Sequence, residues 1–145
     1  MNKIRVTKKF SFEMAHALEG HDGKCRNIHG HSYYLFVTLI GKPIIEKDDP
    51  KNGMVMDFAD LKEIVNNEII NPLDHALMLY ENSEFIKGIP SDQKLIITSY
   101  NPTCENMVID FAAMLKDCFP TGVVLHSLKL EETKTSYAEW HAADQ

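Results

Sequence analysis

Apolar runs approaching 18 residues are missing from this 145-residue chain, so no stretch has the length of a transmembrane helix. Met1 to Glu13 is charged throughout and has neither the apolar centre nor the small-residue cleavage site of a secretory leader, which points to a cytoplasmic protein. A basic excess is missing too: 15 Lys and Arg stand against 21 Asp and Glu, for a formal charge of −6. With no basic stripe to offset it, a nucleic-acid backbone is a poor partner. Cysteine is scarce. Cys25, Cys104 and Cys118 are odd in number, which argues for free thiols and against a disulfide framework. Neither an internal repeat nor a low-complexity tract interrupts the chain. What remains, 44% hydrophobic and 25% charged, is the composition of an ordinary globular protein, long enough for one core and read as a single domain over residues 1–145.

Against that background Cys25-Arg26-Asn27-Ile28-His29-Gly30-His31 packs a thiol and two imidazoles into seven residues. In an extended segment positions i and i+2 share a face, which sets His29 and His31 side by side, roughly 6.6 Å apart at Cα. Two ring nitrogens can then converge on one metal ion. Gly30, without a Cβ, leaves room for another backbone or a ligand on the opposite face.

The flanking pattern says where these groups sit. Ile4, Val6, Phe10, Phe12, Met14 and His16 alternate with polar residues, a half-buried strand with His16 at the end of its apolar face. Gly20, Asp22 and Gly23 mark a loop. From His29 a second strand carries His31, Tyr33, Leu35, Val37 and Leu39 on one face up to Gly41. Paired as a hairpin, the two strands gather three imidazoles at one end of a sheet. A short strand end is expected at Met54–Met56. Asp57 is placed to cap a helix with apolar Phe58, Leu61, Ile64, Val65 and Ile69, stopped by Pro72. Leu73-Asp74-His75-Ala76-Leu77 follows as a connection bearing an adjacent carboxylate and imidazole. After a polar stretch with a short helical turn, Lys94–Thr98 reads as a brief strand. Asn101-Pro102-Thr103 then offers a cap, with Glu105 in the first turn of a helix through Val108, Phe111, Ala112, Leu115 and Phe119. Cys118 near its end reads as a small core residue. The last strand is expected from Val123 to about Glu132, with Val124, His126, Leu128, Leu130 and Glu132 in one phase and Glu131 facing solvent. A carboxylate at the apolar end of a strand needs a partner or a ligand. The order β-β-α-α-β-β gives an α+β domain, an antiparallel sheet with two helices on one face.

Three histidines with a fourth position open are a catalytic zinc arrangement, whereas Cys25 as a fourth ligand would close the site into a structural centre. Both remain open at this level. Lys24 and Arg26, flanking Cys25, could supply local attraction for an anionic substrate.

Five motifs in order, Phe12-Glu13-Met14-Ala15-His16, Cys25 with His29-Gly30-His31, Leu73-Asp74-His75, Asn101-Pro102-Thr103-Cys104-Glu105 and Glu132-Thr133, resemble the 6-pyruvoyltetrahydropterin and 6-carboxytetrahydropterin synthase family from residue 10 to about residue 140. The resemblance implies the tunnelling fold, whose subunit sheets close into a barrel on oligomerisation, here a homohexamer built as a dimer of trimers with sites at subunit interfaces. It implies zinc on His16, His29 and His31, and Cys25 as the proton-abstracting base. Asp74 and His75 become an acid/base dyad and Glu132 the anchor of a pterin ring, with Thr103 and Glu105 matching a motif near the pterin pocket. Three residues between Cys25 and His29 resemble the bacterial carboxy-forming enzymes of the queuosine pathway, which act on 7,8-dihydroneopterin triphosphate. The pyruvoyl-forming activity is the alternative, and a non-enzymatic oligomer with a structural zinc is a remote one. Residues 79–98 are longer than in compact bacterial members, and the Ser136–Trp140 tail also differs from theirs.

Overall fold

In the computed structural model, which describes residues 2–145, two long strands of equal length form the centre of the sheet. β1 (Ile4–His16) and β2 (His29–Gly41) pair antiparallel along their whole length, from Ile4 opposite Gly41 to His16 opposite His29. This register carries both apolar phases to the same side. Phe10, Phe12, Met14 and His16 of β1 and Tyr33, Leu35, Val37 and Leu39 of β2 are buried, while Ser11, Glu13, Ser32 and Tyr34 between them are exposed. β5 (Val123–Thr133) pairs antiparallel with β2, and β6 (Ser136–His141) antiparallel with β5.

On the buried side of the sheet lie α1 (Phe58–Val65) and α2 (Cys104–Leu115). Asp57 caps α1, its Oδ1 accepting from the Ala59 amide at 2.8 Å, and Thr103 caps α2, its hydroxyl accepting from Asn106 at 3.1 Å. Leu61 and Val65 from α1 and Met107, Val108, Phe111 and Leu115 from α2 close one core with the apolar sides of β1, β2 and β5. Pro72 does not stop the first helix where expected. The chain passes through one π turn at Asn66–Ile70 and a last turn at Asn71–Leu73, so Pro72 lies inside the final turn, and Asp74 leaves it in an extended conformation. A proline contributes no amide, and a widened turn is a known way to accommodate the missing bond.

Three further differences from the sequence pattern have physical reasons. Ala76–Tyr80 is a strand, β3, running parallel to the end of β1, and β4 (Leu95–Thr98) runs parallel to β3, giving the order β4-β3-β1-β2-β5-β6. The antiparallel four-strand body therefore carries a parallel edge. Residues 76–79 are all buried because Ala76 and Met78 face the main core while Leu77 and Leu79 face a second cluster with Ala17, Ile86, Ile89 and Leu95. A strand covered on both faces shows no alternation. Second, a register shift between Thr38 and Leu39 lets β5 change phase, so Leu125 is buried while Val124 is exposed and His126 is only half-buried. The expected face holds only from Leu128 onward. Third, Met54–Met56 is not a strand, because the Met54 amide and carbonyl are spent within the turn on Lys51 O and Ile44 N. Beyond Glu132, where the sequence pattern ends the last strand, the chain turns back as β6.

Cys118 is not the core residue expected. Cys104 is buried and donates to the Leu130 carbonyl at 3.2 Å, whereas Cys118 is half-buried beyond the end of α2. Among the described residues no helix is long and apolar enough to cross a membrane.

Candidate functional site

His16, His29 and His31 meet at the end of the β1–β2 pair, each offering one ring nitrogen, and these three atoms all lie within 4.8 Å of one another. His16 is fully buried and the other two half-buried. Two backbone carbonyls orient the rings: Nδ1 of His16 donates to Pro102 O at 2.8 Å, and Nδ1 of His29 to Asn27 O at 2.7 Å. With those protons on Nδ1, both Nε2 atoms present lone pairs, and they face each other at 3.0 Å. Glu132 brings a further lone-pair donor, its Oε1 lying 3.2 Å from Nε2 of His16 and 3.2 Å from Nε2 of His31. Nε2 of His31 is buried and lacks a hydrogen-bond partner among the described residues. Acceptors crowded in this way repel unless protons or a cation stand between them. The donor set fits a divalent metal that takes imidazole nitrogen, with outer-shell carbonyls fixing the tautomers.

Electrostatics around the cluster agree. Burial lowers the His31 pKa, with His16 and His29 adding to the effect against the pull of Glu132, which favours the neutral, ligating ring. The Glu132 carboxyl is held below its usual range, first by a hydrogen bond that a proton on Nε2 of His16 would make and then by positive charge on the surrounding imidazoles, against partial burial. A cation bound among the three rings would favour the carboxylate in the same direction. Tyr33, fully buried beneath the rings, has its hydroxyl 3.5 Å from Nδ1 of His16, and burial with the Glu132 charge pushes its ionisation far up. Burial also pushes the Cys104 thiol up to about 12, so it is inert at neutral pH.

Asp74 and His75 form a second group. Oδ2 of Asp74 lies 3.0 Å from Nδ1 of His75, which leaves Nε2 free. Both are held by the backbone of Glu13: its amide donates to Asp74 Oδ1 at 2.9 Å, and its carbonyl accepts from the His75 amide at 2.6 Å. The Glu13 amide bond first, then the His75 ring and Lys94, keep the Asp74 carboxyl below its ordinary value. His75 has φ of 63°, the one non-glycine residue in the left-handed region among those described. Such conformations persist where surrounding structure imposes them, and they concentrate at functional sites. His75, His31, Gly30, Glu13 and Ser32 line a cleft of about 430 Å³. A Cβ on Gly30 would meet Met14 O at an ordinary 3.6 Å, so no backbone crowds it and the open space is the cleft itself.

Cys25 lies in a single turn, Lys24–Arg26, of the β1–β2 loop and is half-buried. Its carbonyl accepts from Leu18 N at 2.8 Å, and the Asn101 amide grips the adjacent Glu19 backbone at 2.9 and 3.1 Å. No hydrogen bond or ion pair among the described residues joins Cys25 or the Asp74–His75 pair to the histidine cluster. Thr103 spends its hydroxyl on the helix cap, and exposed Glu105 lines a separate cleft with Glu139, Trp140 and His141. The supporting groups Pro102 O, Asn27 O, Asn101 and Glu13 carry no sequence signal as supports. Asn101-Pro102, Glu13 and Asn27 all stand within stretches the sequence singles out, but none of them is marked there as a support.

Known proteins resemble the chain over nearly its whole length. The sequence matches the model of the 6-pyruvoyl tetrahydropterin synthase family over residues 5–143. It is 37% identical to the 6-carboxy-5,6,7,8-tetrahydropterin synthase of Haemophilus influenzae over 142 residues, 94% of this chain and 98% of that protein. It is 32% identical to the 6-pyruvoyl tetrahydrobiopterin synthase of Pongo abelii over 143 residues, 90% of this chain and 86% of that protein. The Caenorhabditis elegans 6-pyruvoyl tetrahydropterin synthase structure superposes with a TM-score of 0.71 at 28% identity, covering 98% of this chain and 97% of that one. An uncharacterised protein of Wolinella succinogenes shares the fold, with a TM-score of 0.77 at 20% identity over 98% of this chain and 99% of that one. The histidine cluster, the tunnelling fold and these matches lead to one conclusion: the chain belongs to the 6-pyruvoyl tetrahydropterin synthase family of enzymes.

Proposed function

We propose that this chain is a zinc-dependent 6-carboxy-5,6,7,8-tetrahydropterin synthase. It would convert 7,8-dihydroneopterin triphosphate to 6-carboxy-5,6,7,8-tetrahydropterin with release of acetaldehyde and triphosphate, a step toward queuosine. The observation that carries the reading is the convergence of His16, His29 and His31 with their Nδ1 protons committed elsewhere. The printed name of the Haemophilus influenzae relative supports the carboxy product.

His16, His29 and His31 would hold the zinc, which would supply Lewis acidity toward side-chain oxygens of the substrate and so acidify neighbouring C–H and O–H groups. Cys25 acts as the base that removes a proton from the substrate side chain. Asp74 fixes the tautomer of His75, whose free Nε2 carries the proton. Glu132 accepts two parallel hydrogen bonds from the 2-amino and N3–H groups of the pterin, leaving its contacts with the imidazoles to do so. Thr103 would stand at the rim of that pocket through the turn whose Pro102 carbonyl touches His16, whereas Glu105 lines the separate cleft with Glu139, Trp140 and His141 and would act there only in the assembled enzyme. The working form is a homohexamer, a dimer of trimers with sites at subunit interfaces.

Purified protein incubated with 7,8-dihydroneopterin triphosphate should yield a product with the mass of 6-carboxytetrahydropterin, together with acetaldehyde. The mass of the pyruvoyl product without acetaldehyde would transfer the chain to the alternative activity, and no turnover by zinc-loaded protein would defeat the reading.

A further inference from the structure

We propose that Lys94, at the mouth of the β3–β4 extension, is a positioning residue that holds the Asp74–His75 pair in its working orientation. The inference rests on the reading of that pair as the proton shuttle. Nζ of Lys94 donates to the carbonyls of Asn71 and Asp74, each at 2.7 Å. Those carbonyls belong to the last helical turn, where no further amide follows to satisfy them. The carbonyl of the same residue accepts from the Leu77 amide at 2.9 Å. One residue thus grips the chain on both sides of Asp74 and His75.

Between the two grips lies the left-handed residue, His75. Its side chain is 76% exposed, so packing gives the ring little orientation. Direction comes instead from the backbone, from Asp74 and from the two Glu13 hydrogen bonds on the β1 side. Glu13 fixes the pair from the sheet, and Lys94 fixes the peptide that precedes His75. With the Asp74 carbonyl released, the peptide before His75 is held only from the β1 side, by Glu13, and the left-handed conformation that keeps the ring in the cleft with His31 loses part of what imposes it. The bond from the Leu77 amide is a backbone bond at the start of the β3–β4 ladder, so the side chain's own part is the hold of Nζ on the Asn71 and Asp74 carbonyls. Lys94, at the start of β4, thereby reaches from the sheet edge into the site.

The test uses the full zinc-loaded chain as Lys94→Met and Lys94→Arg variants. The readouts are the NMR signals of the His75 ring and the exchange rate of its amide, kcat and KM for 7,8-dihydroneopterin triphosphate, and zinc content. Lys94→Met should shift the His75 ring signals, speed amide exchange and lower kcat about tenfold with KM and zinc unchanged, because displacement of a proton-transferring group acts on the chemical step. Lys94→Arg should restore the signals and most of kcat. An unshifted His75 spectrum in Lys94→Met, or an equal loss in Lys94→Arg, would overturn the proposal. If Lys94→Met fails to fold, Lys94→Gln, which keeps one donor group, carries the same comparison. Should the wild-type enzyme not turn over this pterin, the functional reading fails, while the His75 spectrum still decides whether Lys94 orients the pair.

Discussion

Glu131 and Glu132 are chemically identical neighbours, yet one pairs with Lys129 at 3.1 Å and the other stands 3.2 Å from two imidazoles. Strand alternation alone made this difference legible, since the phase from Leu128 onward holds. Glu132→Gln keeps the shape but places an amide donor where acceptors are needed. Loss of a charge-assisted contact, on the order of 1.5–3 kcal/mol, should weaken pterin binding roughly 10- to 150-fold by titration. Glu131→Gln should be nearly silent, and equal effects would refute the assignment. At Cys25 the expectation is separation of metal from turnover: Cys25→Ala should retain zinc and lose activity. The thiol in the core was misread because a cysteine's neighbours, not its helix position, decide its burial. In native protein Cys104 should therefore resist thiol reagents that modify Cys118, and labelling of Cys104 at native conditions would contradict its burial. Asp74 is held below its ordinary value, so its stabilising contribution is present above the unfolded value near 3.9 and fades as pH falls through the lower folded one. Asp74→Asn should flatten that part of the stability profile in acid denaturation.

Among the elements, the long strands and both capped helices followed from period and capping chemistry. β3 did not, because burial on both faces erases alternation and four apolar residues in a row read equally as a connection. The β-bulge beside Thr38 and the π turn before Pro72 are local departures that no periodicity contains. The carbonyls that orient His16 and His29 are invisible for a similar reason, since every residue has one. Pro102 O is nevertheless placed by a readable element, the start of α2, whose cap is Thr103. Thr103→Ala should lower stability by about 1 kcal/mol in urea denaturation. It should also reduce zinc affinity, because the turn that presents Pro102 O loosens. Unchanged zinc affinity alongside lost stability would detach the cap from the metal centre.

Across the whole molecule, the hairpin brings together residues 13 positions apart, the β5 end adds Glu132, and the turn at residues 101–103 closes the back of the site. A zinc held there would link folding to metal binding: its removal by a chelator should then lower the melting temperature, and acidification should release it as the imidazoles take up protons. The central claim is that the metal sits on three imidazoles and not in a site closed by Cys25. X-ray absorption at the zinc edge tests it most directly. The account predicts one zinc per chain with only nitrogen and oxygen neighbours, at about 2.0–2.1 Å. A sulfur neighbour at about 2.3 Å would contradict it.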